Sequence, residues 1–204
     1  MTNTITLTVP LSQVAINGVT IHGDADCSAG FVTERGLGED GFGADRVCLG
    51  SVLDNDYSVP PRRVCIIGLN PSKATHLVPD PTFRRCRSFA VSWGYNVLTL
   101  VNLFSYRSTD PRGLIEVTDP QGDPWNMNAI LRAVGGAEIV VAAWGHQSSP
   151  KALRILVTDR AAEVERRVRE VAPDKLHYLQ LTKGGVPGHP LYLKSDLKPK
   201  RWVR

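Results

Sequence analysis

VCIIGLNPSKA, residues 64–74, places five apolar side chains and one glycine in six positions and then breaks into Asn-Pro-Ser. A run that is apolar at every position, without alternation, suits a strand buried on both faces, the habit of a parallel sheet flanked by helices. Working outward, three more runs of this kind follow: VLTLVNLF (97–104), EIVVAAWG (138–145) and LHYLQL (176–181). Between them lie three amphipathic segments. In the first, Asp80 is the expected N-cap, Pro81 takes the first helical position, Phe83, Phe89, Ala90 and Trp93 form an apolar stripe, and Gly94 ends it. The second repeats the device with Asp123, Pro124 and Gly135. The third runs from Ser149 and Pro150 to about Val171, with Leu153, Leu156, Val157, Val164 and Val168 inward.

The order βαβαβαβ with right-handed crossovers predicts an α/β fold, a three-layer α/β/α arrangement around a four-stranded parallel sheet. Residues 1–59 read differently. TITLTV alternates, VAINGVTI carries the Asn17-Gly18 hairpin signature, and ERGLGEDGFG reads as a loop, so a β-rich N-terminal extension (1–59) precedes the α/β core (60–204) within one structural domain.

Composition excludes several classes. The 204 residues are 42% hydrophobic and 22% charged, and no apolar run approaches a membrane span. The start, MTNTITLTVPLSQ, lacks the pattern of a secretory signal, so a cytoplasmic location is expected. Cys27, Cys48, Cys65 and Cys86 are too scattered for zinc or iron-sulfur ligation and read as core residues; no metal or cofactor is expected. The net charge of +4 suits a polyanionic partner, with basic residues gathered in FRRCR (83–87) and in the tail KSDLKPKRWVR (194–204).

Open parallel sheets bind ligands outside the carboxyl ends of their strands. The residues that follow the four strands are Gly68-Leu69-Asn70-Pro71-Ser72, then Asn102 through Arg107, then Trp144-Gly145-His146, and finally Thr182, Lys183 and Gly188-His189-Pro190. Each has a structural reading when taken alone: asparagine before proline makes turns, and a histidine can cap a loop. Together they bring amides, imidazoles and bases to one rim.

With these residues in view, the segment from Val64 to about residue 195 resembles the uracil-DNA glycosylase superfamily. GLNPS is similar to its first motif, HPLYL to its last, NLFSYRSTDP to the middle segment of the thermophile branch, and IVVAAWG to its apolar strand. More closely, LNPS, DPTFRRC, WGY, VNLF, TDP, AWG and GHPLYL resemble an uncharacterised bacterial and phage family, domain of unknown function sixteen-forty-three. The superfamily resemblance implies a DNA glycosylase that hydrolyses the N-glycosidic bond of a flipped damaged or modified pyrimidine, in base excision repair or in defence against phage. It implies that Asn70 positions the attacking water and that His189 donates to the departing base. Gly68, Leu69, Pro71, Ser72, Phe83, Asn102 and Trp144 would surround the base, with Asn102 reading its polar edge. His76 is a further stacking candidate. Lys73, Arg84, Arg85, Arg107, Lys194, Lys198 and Arg201 would contact duplex or single-stranded DNA, with Tyr192 and Leu193 as an apolar wedge. The chain departs from the family in lacking the aspartate of the uracil-specific branch and the cysteines of the iron-sulfur branch. A monomer is expected. An N-glycosidase on free nucleosides or nucleotides, and a non-catalytic nucleic-acid-binding module, are the alternatives.

Overall fold

A computed structural model of the chain describes residues 14–16, 19–22, 32–35, 45–53, 60–74, 78–122, 124–148 and 150–203. Asn17, Gly18, Cys27, most of the glycine-rich loop, His76, Asp123, Ser149 and Arg204 lie outside them.

The four apolar runs form β5 (Arg63–Gly68), β6 (Val97–Asn102), β7 (Ile139–Ala142) and β8 (Leu176–Tyr178). They are mutually parallel, in the spatial order β6-β5-β7-β8. The sheet is mixed and larger than a four-stranded parallel one, which corrects the expectation. It has nine strands among the described residues. Strands β1 (Val14–Ile16), β2 (Val19–His22), β3 (Val32–Arg35) and β4 (Asp45–Val52) extend it antiparallel from β6, and β9 (Lys200–Arg201) closes on β8. The physical reason is that β6 and β8 present unpaired backbone edges, and the flanking segments supply hydrogen-bonding partners. Ile16 stands opposite Val19, the pairing expected of strands on either side of Asn17-Gly18.

Alternation along the buried strands splits the core in two. Cys65, Ile67, Val101 and Val140 meet Ile130 and Val134 of α2 (Trp125–Gly136) and Leu153, Val157, Val164 and Val168 of α3 (Lys151–Val171). Val64, Ile66, Leu98 and Val141 meet Phe83, Cys86, Phe89 and Ala90 of α1 (Pro81–Ser92). Helix α1 starts as its sequence dictates. The Asp80 carboxylate accepts from the Phe83 amide at 2.7 Å, Pro81 follows it, and Gly94 takes φ +80° just beyond the last turn. Pro124 and Pro150 occupy the N-cap positions of α2 and α3, neither with a side-chain cap bond.

The strand order places the first parallel strand, β5, between the second and the third. The chain therefore leaves β5 toward one neighbour and later crosses to the other, and such a switch point opens a crevice at the carboxyl ends. No helix among the described residues is long and apolar enough to cross a membrane.

The basic tail is built into the fold. The Trp202 amide donates to the Leu176 carbonyl at 2.8 Å, and the residue is 5% exposed, its ring against Trp144 and Tyr178. Trp202→Ala is expected to cost about 3–5 kcal/mol, the range for truncating a buried aromatic residue. Arg201→Ala, which removes an exposed ion pair with Asp174, should change stability by no more than about 1 kcal/mol. Denaturant titration of the two variants checks the contrast.

Candidate functional site

A cavity of about 740 Å3 opens at the carboxyl ends of β5, β6 and β7, and Asn70, Asn102 and His189 all line it. Parallel pairing of β5 with β6 sets Gly68 beside Asn102. Pairing continues past the strands: the Leu103 amide donates to the Gly68 carbonyl and the Phe104 amide to the Leu69 carbonyl, both at 3.0 Å. The Asn102 side chain leans over β5, so that a Cβ at position 68 would fall 2.6 Å from its Oδ1. Any larger residue there must displace that amide. Asn102 is 3% exposed, and its Nδ2 is buried with no hydrogen-bond partner among the described residues. An orphaned buried donor at a cavity wall is costly and calls for a ligand or a water to satisfy it. Beneath it, the Leu103 carbonyl accepts from Asn126 Nδ2 and from Arg160 Nε, each at 2.9 Å. Both of those side chains are fully buried.

Asn70 is held differently. Its Nδ2 donates to the Pro71 carbonyl at 2.9 Å and to the Ser108 carbonyl at 2.8 Å, while the Ser108 amide returns a bond to the Pro71 carbonyl. Two carbonyl neighbours require the NH2 end, which fixes the amide's orientation. Oδ1 is left as an acceptor with no protein partner among the described residues.

His189 caps the short 3-10 helix Pro190–Tyr192, its Nδ1 accepting from the Leu191 amide at 3.3 Å. With Nδ1 an acceptor, the neutral ring carries its proton on Nε2 and is a hydrogen-bond donor there. Burial pushes its pKa below the ordinary value of 6.5, and the negative charge of Asp80 opposes that shift without cancelling it. The ring is located by close approach. Gly145, at φ +76°, would put a Cβ 2.9 Å from His189 Cβ if it were any other residue. On the far side, Arg85 donates to the Leu193 carbonyl and holds the end of the turn.

Among the remaining expectations, Gly68, Leu69, Ser72, Lys73, Tyr192 and Leu193 line the cavity, and Pro71 is buried just behind it. Two aromatic candidates are corrected. Phe83 is 4% exposed in the core under α1, because Pro81 and Thr82 face the cavity and the next helical residue turns away. Trp144 packs in the opposite core and faces a separate cavity of about 210 Å3, since alternation gives the main cavity to Ala143. Several expected DNA-contacting cations are engaged by the protein: Arg84 with the Pro79 carbonyl, Arg85 with Leu193, Arg107 with Ser72, Lys198 with Ser92 and Arg201 with Asp174. Lys194 is exposed and does not line the cavity.

Sequence reasoning missed three groups. Arg46, 1% exposed on β4, lines the cavity and donates to the Ala74 carbonyl at 2.5 Å; a lone arginine in an alternating strand gives no local sign of that. Ser108 supplies the carbonyl that orients Asn70. Asp80, legible only as a helix cap, also lines the cavity. Two of the described thiols stay protonated at neutral pH: burial pushes Cys48 up to about 11 and Cys86 up to about 12. No group of three or more potential metal ligands occurs among the described residues.

A family model described as "Protein of unknown function (DUF1643)" matches residues 52–191. The chain belongs to this family. No curated protein and no solved structure matches it. The DUF1643 segment contains Asn70, Asp80, Asn102 and His189 and ends at Leu191, two residues beyond the imidazole.

The linkage sign for His189 follows from its lowered proton affinity in the fold. As pH falls, the unfolded chain takes up this proton first, so the residue's contribution is full above about 6.5 and is lost as pH drops through the window below. The ring should titrate with a midpoint below 6.5 by NMR, and His189→Gln should flatten the pH dependence of stability in that window. In Gly68→Ala, displacement of the Asn102 amide should appear as a chemical-shift change of its side-chain NH2 larger than at any residue of α3.

Proposed function

We propose that this cavity hydrolyses the N-glycosidic bond of a pyrimidine-type nucleotide turned out of DNA. The observation that carries the reading is the convergence of Asn70, Asn102 and His189 on one cavity at the carboxyl ends of the parallel strands. A volume of about 740 Å3 admits a base together with its sugar and a phosphate. Helices on both faces of the sheet support a three-layer, uracil-DNA glycosylase-like arrangement of the core.

The chemistry follows from the free valences of the three side chains. The C1′–N1 bond breaks with its electron pair leaving on the base, so negative charge spreads to the base oxygen and positive charge to the sugar. A water adds to C1′ and loses its proton to solvent. Asn70 Oδ1, the end left unbonded, accepts from that water and aims its lone pair; an amide cannot take the proton, so its role is positioning. His189, neutral with its proton on Nε2, donates to the base oxygen as charge grows there, without a proton having to be delivered. Asn102 Nδ2 finds its missing acceptor on the base edge. Tyr192, 83% exposed beside His189, supports contact with the strand or with the gap the base leaves.

One observation favours a second reading. Five of the cations expected to hold a DNA backbone already have protein acceptors, which leaves Lys73 as the cavity-lining lysine and fits a free nucleoside or nucleotide. The test is a panel of duplex and single-stranded DNA containing uracil, mismatched or modified pyrimidines, followed by alkaline cleavage at abasic sites, beside a parallel panel of free nucleotides. Base release from DNA at low salt, falling steeply as salt rises, is expected. Release only from free nucleotides selects the second reading, and release from neither rejects both. Asn70→Ala and His189→Ala should each lower kcat by about 10²–10³ while folding is retained. Binding that survives without turnover in the unsubstituted protein would indicate a non-catalytic module.

A further inference from the structure

Hydrolysis of an N-glycosidic bond makes a cation as well as an anion, and the three residues discussed so far attend only to the water and the departing base. Among the described residues lining the cavity there is a single carboxylate, Asp80. Resting on the N-glycosidic reading of this cavity, we propose that the Asp80 carboxylate stabilises the positive charge that develops on the substrate's sugar ring.

Asp80 is preorganised for such work. Its Oδ1 is tied to the first turn of α1 by the Phe83 amide at 2.7 Å, and Oδ2 has no protein partner among the described residues. Pro81 and Thr82, the first residues of α1, line the cavity beside it, and the helix packs on the 3-10 turn that His189 starts. The charge of Asp80 is felt at His189, so the carboxylate and the imidazole share one electrostatic neighbourhood. The other charged or titratable groups lining the cavity are Arg46 and Lys73, the Cys86 thiol on α1, which the charge of Asp80 helps keep protonated, His146 after β7, and Tyr192 with its ring centroid 5.5 Å from that of His189. A fixed anion beside a neutral donor divides the labour that bond breaking needs: one group for the sugar, one for the base. A carboxylate held in place costs no reorganisation when the cation forms, which is where electrostatic catalysis gains most.

The cap role supplies the control. Asparagine and serine cap helices about as well as aspartate, so Asp80→Asn and Asp80→Ser remove the charge and keep α1 started. The probes are a pyrrolidine sugar analogue, cationic at neutral pH, and its neutral tetrahydrofuran counterpart, each as the free compound and within single-stranded and duplex DNA. Both variants are expected to lose about tenfold or more in affinity for the cationic analogue and less than about twofold for the neutral one. On the active substrate, kcat should fall while KM changes little, and His189 should titrate still lower because an anion that favours its charged form is gone. Equal affinity changes for the two analogues, no change for either, or failure of the unsubstituted protein to bind the cationic analogue each overturn the proposal. Turnover on the base panel reports separately on the reaction. Selective, charge-dependent binding of the cationic analogue without base release would leave the Asp80 site standing and sink the hydrolytic reading.

Discussion

The site depends on the absence of a side chain at Gly68. Parallel register fixes which residue of β6 stands beside it, and the neighbour is Asn102, whose amide fills the space a Cβ would need. The two strands also stay paired past their ends, through the Leu103 amide on the Gly68 carbonyl and the Phe104 amide on the Leu69 carbonyl. The Asn70 loop thus leaves the sheet from a rigid stem rather than a frayed one. Ser108, on the continuation of β6, closes the loop by trading hydrogen bonds with Pro71 and Asn70. A larger residue at 68 would disturb one polar contact directly and the anchoring of two loops indirectly.

The opposite wall uses the same device at Gly145, where the His189 backbone and Cβ approach a residue with positive φ. Two close approaches, one on each side of β5, thus locate an amide and an imidazole without long or flexible linkers. Each polar side chain then spends one end on the protein and keeps one for the cavity. Asn70 gives away its NH2 and retains an acceptor; His189 gives away its Nδ1 lone pair and retains a donor. Preorganised donors and acceptors of this kind are what a charge-separating reaction requires.

Much of this was legible because it is local or follows from a general rule. Unbroken apolar runs marked β5 to β8, Asp80-Pro81 marked the start of α1, and the rule that open parallel sheets work at their carboxyl ends pointed to Asn70, Asn102 and His189. What escaped was set by tertiary contact. No local pattern says that β4 pairs with β6, or that Lys200 and Arg201 add an edge strand while Trp202 plugs the core. The aromatic candidates failed by one position each. Thr82 faces the cavity and Phe83 the core; Ala143 faces the cavity and Trp144 the other layer. Sequence shows that such residues lie near the rim, but the phase of a helix or strand relative to its sheet emerges only from packing.

The same packing bears on the exposed lip. Leu191 and Tyr192 sit on a turn whose first residue is His189 and whose last carbonyl, that of Leu193, is gripped by Arg85 from α1. Arg85 is itself laid over the Phe89 ring, 4.8 Å from its centroid, so the grip reaches into the core. A turn pinned at both ends moves as a unit if it moves at all. The Tyr192 amide bonds the His189 carbonyl and the Leu191 amide bonds Nδ1, so the exposed ring and the imidazole belong to one hydrogen-bonded turn. In such an arrangement Arg85 of FRRCR is a fastener between α1 and the turn that carries the imidazole, which accounts for a basic residue turning inward on a helix whose outer face is free to carry charge.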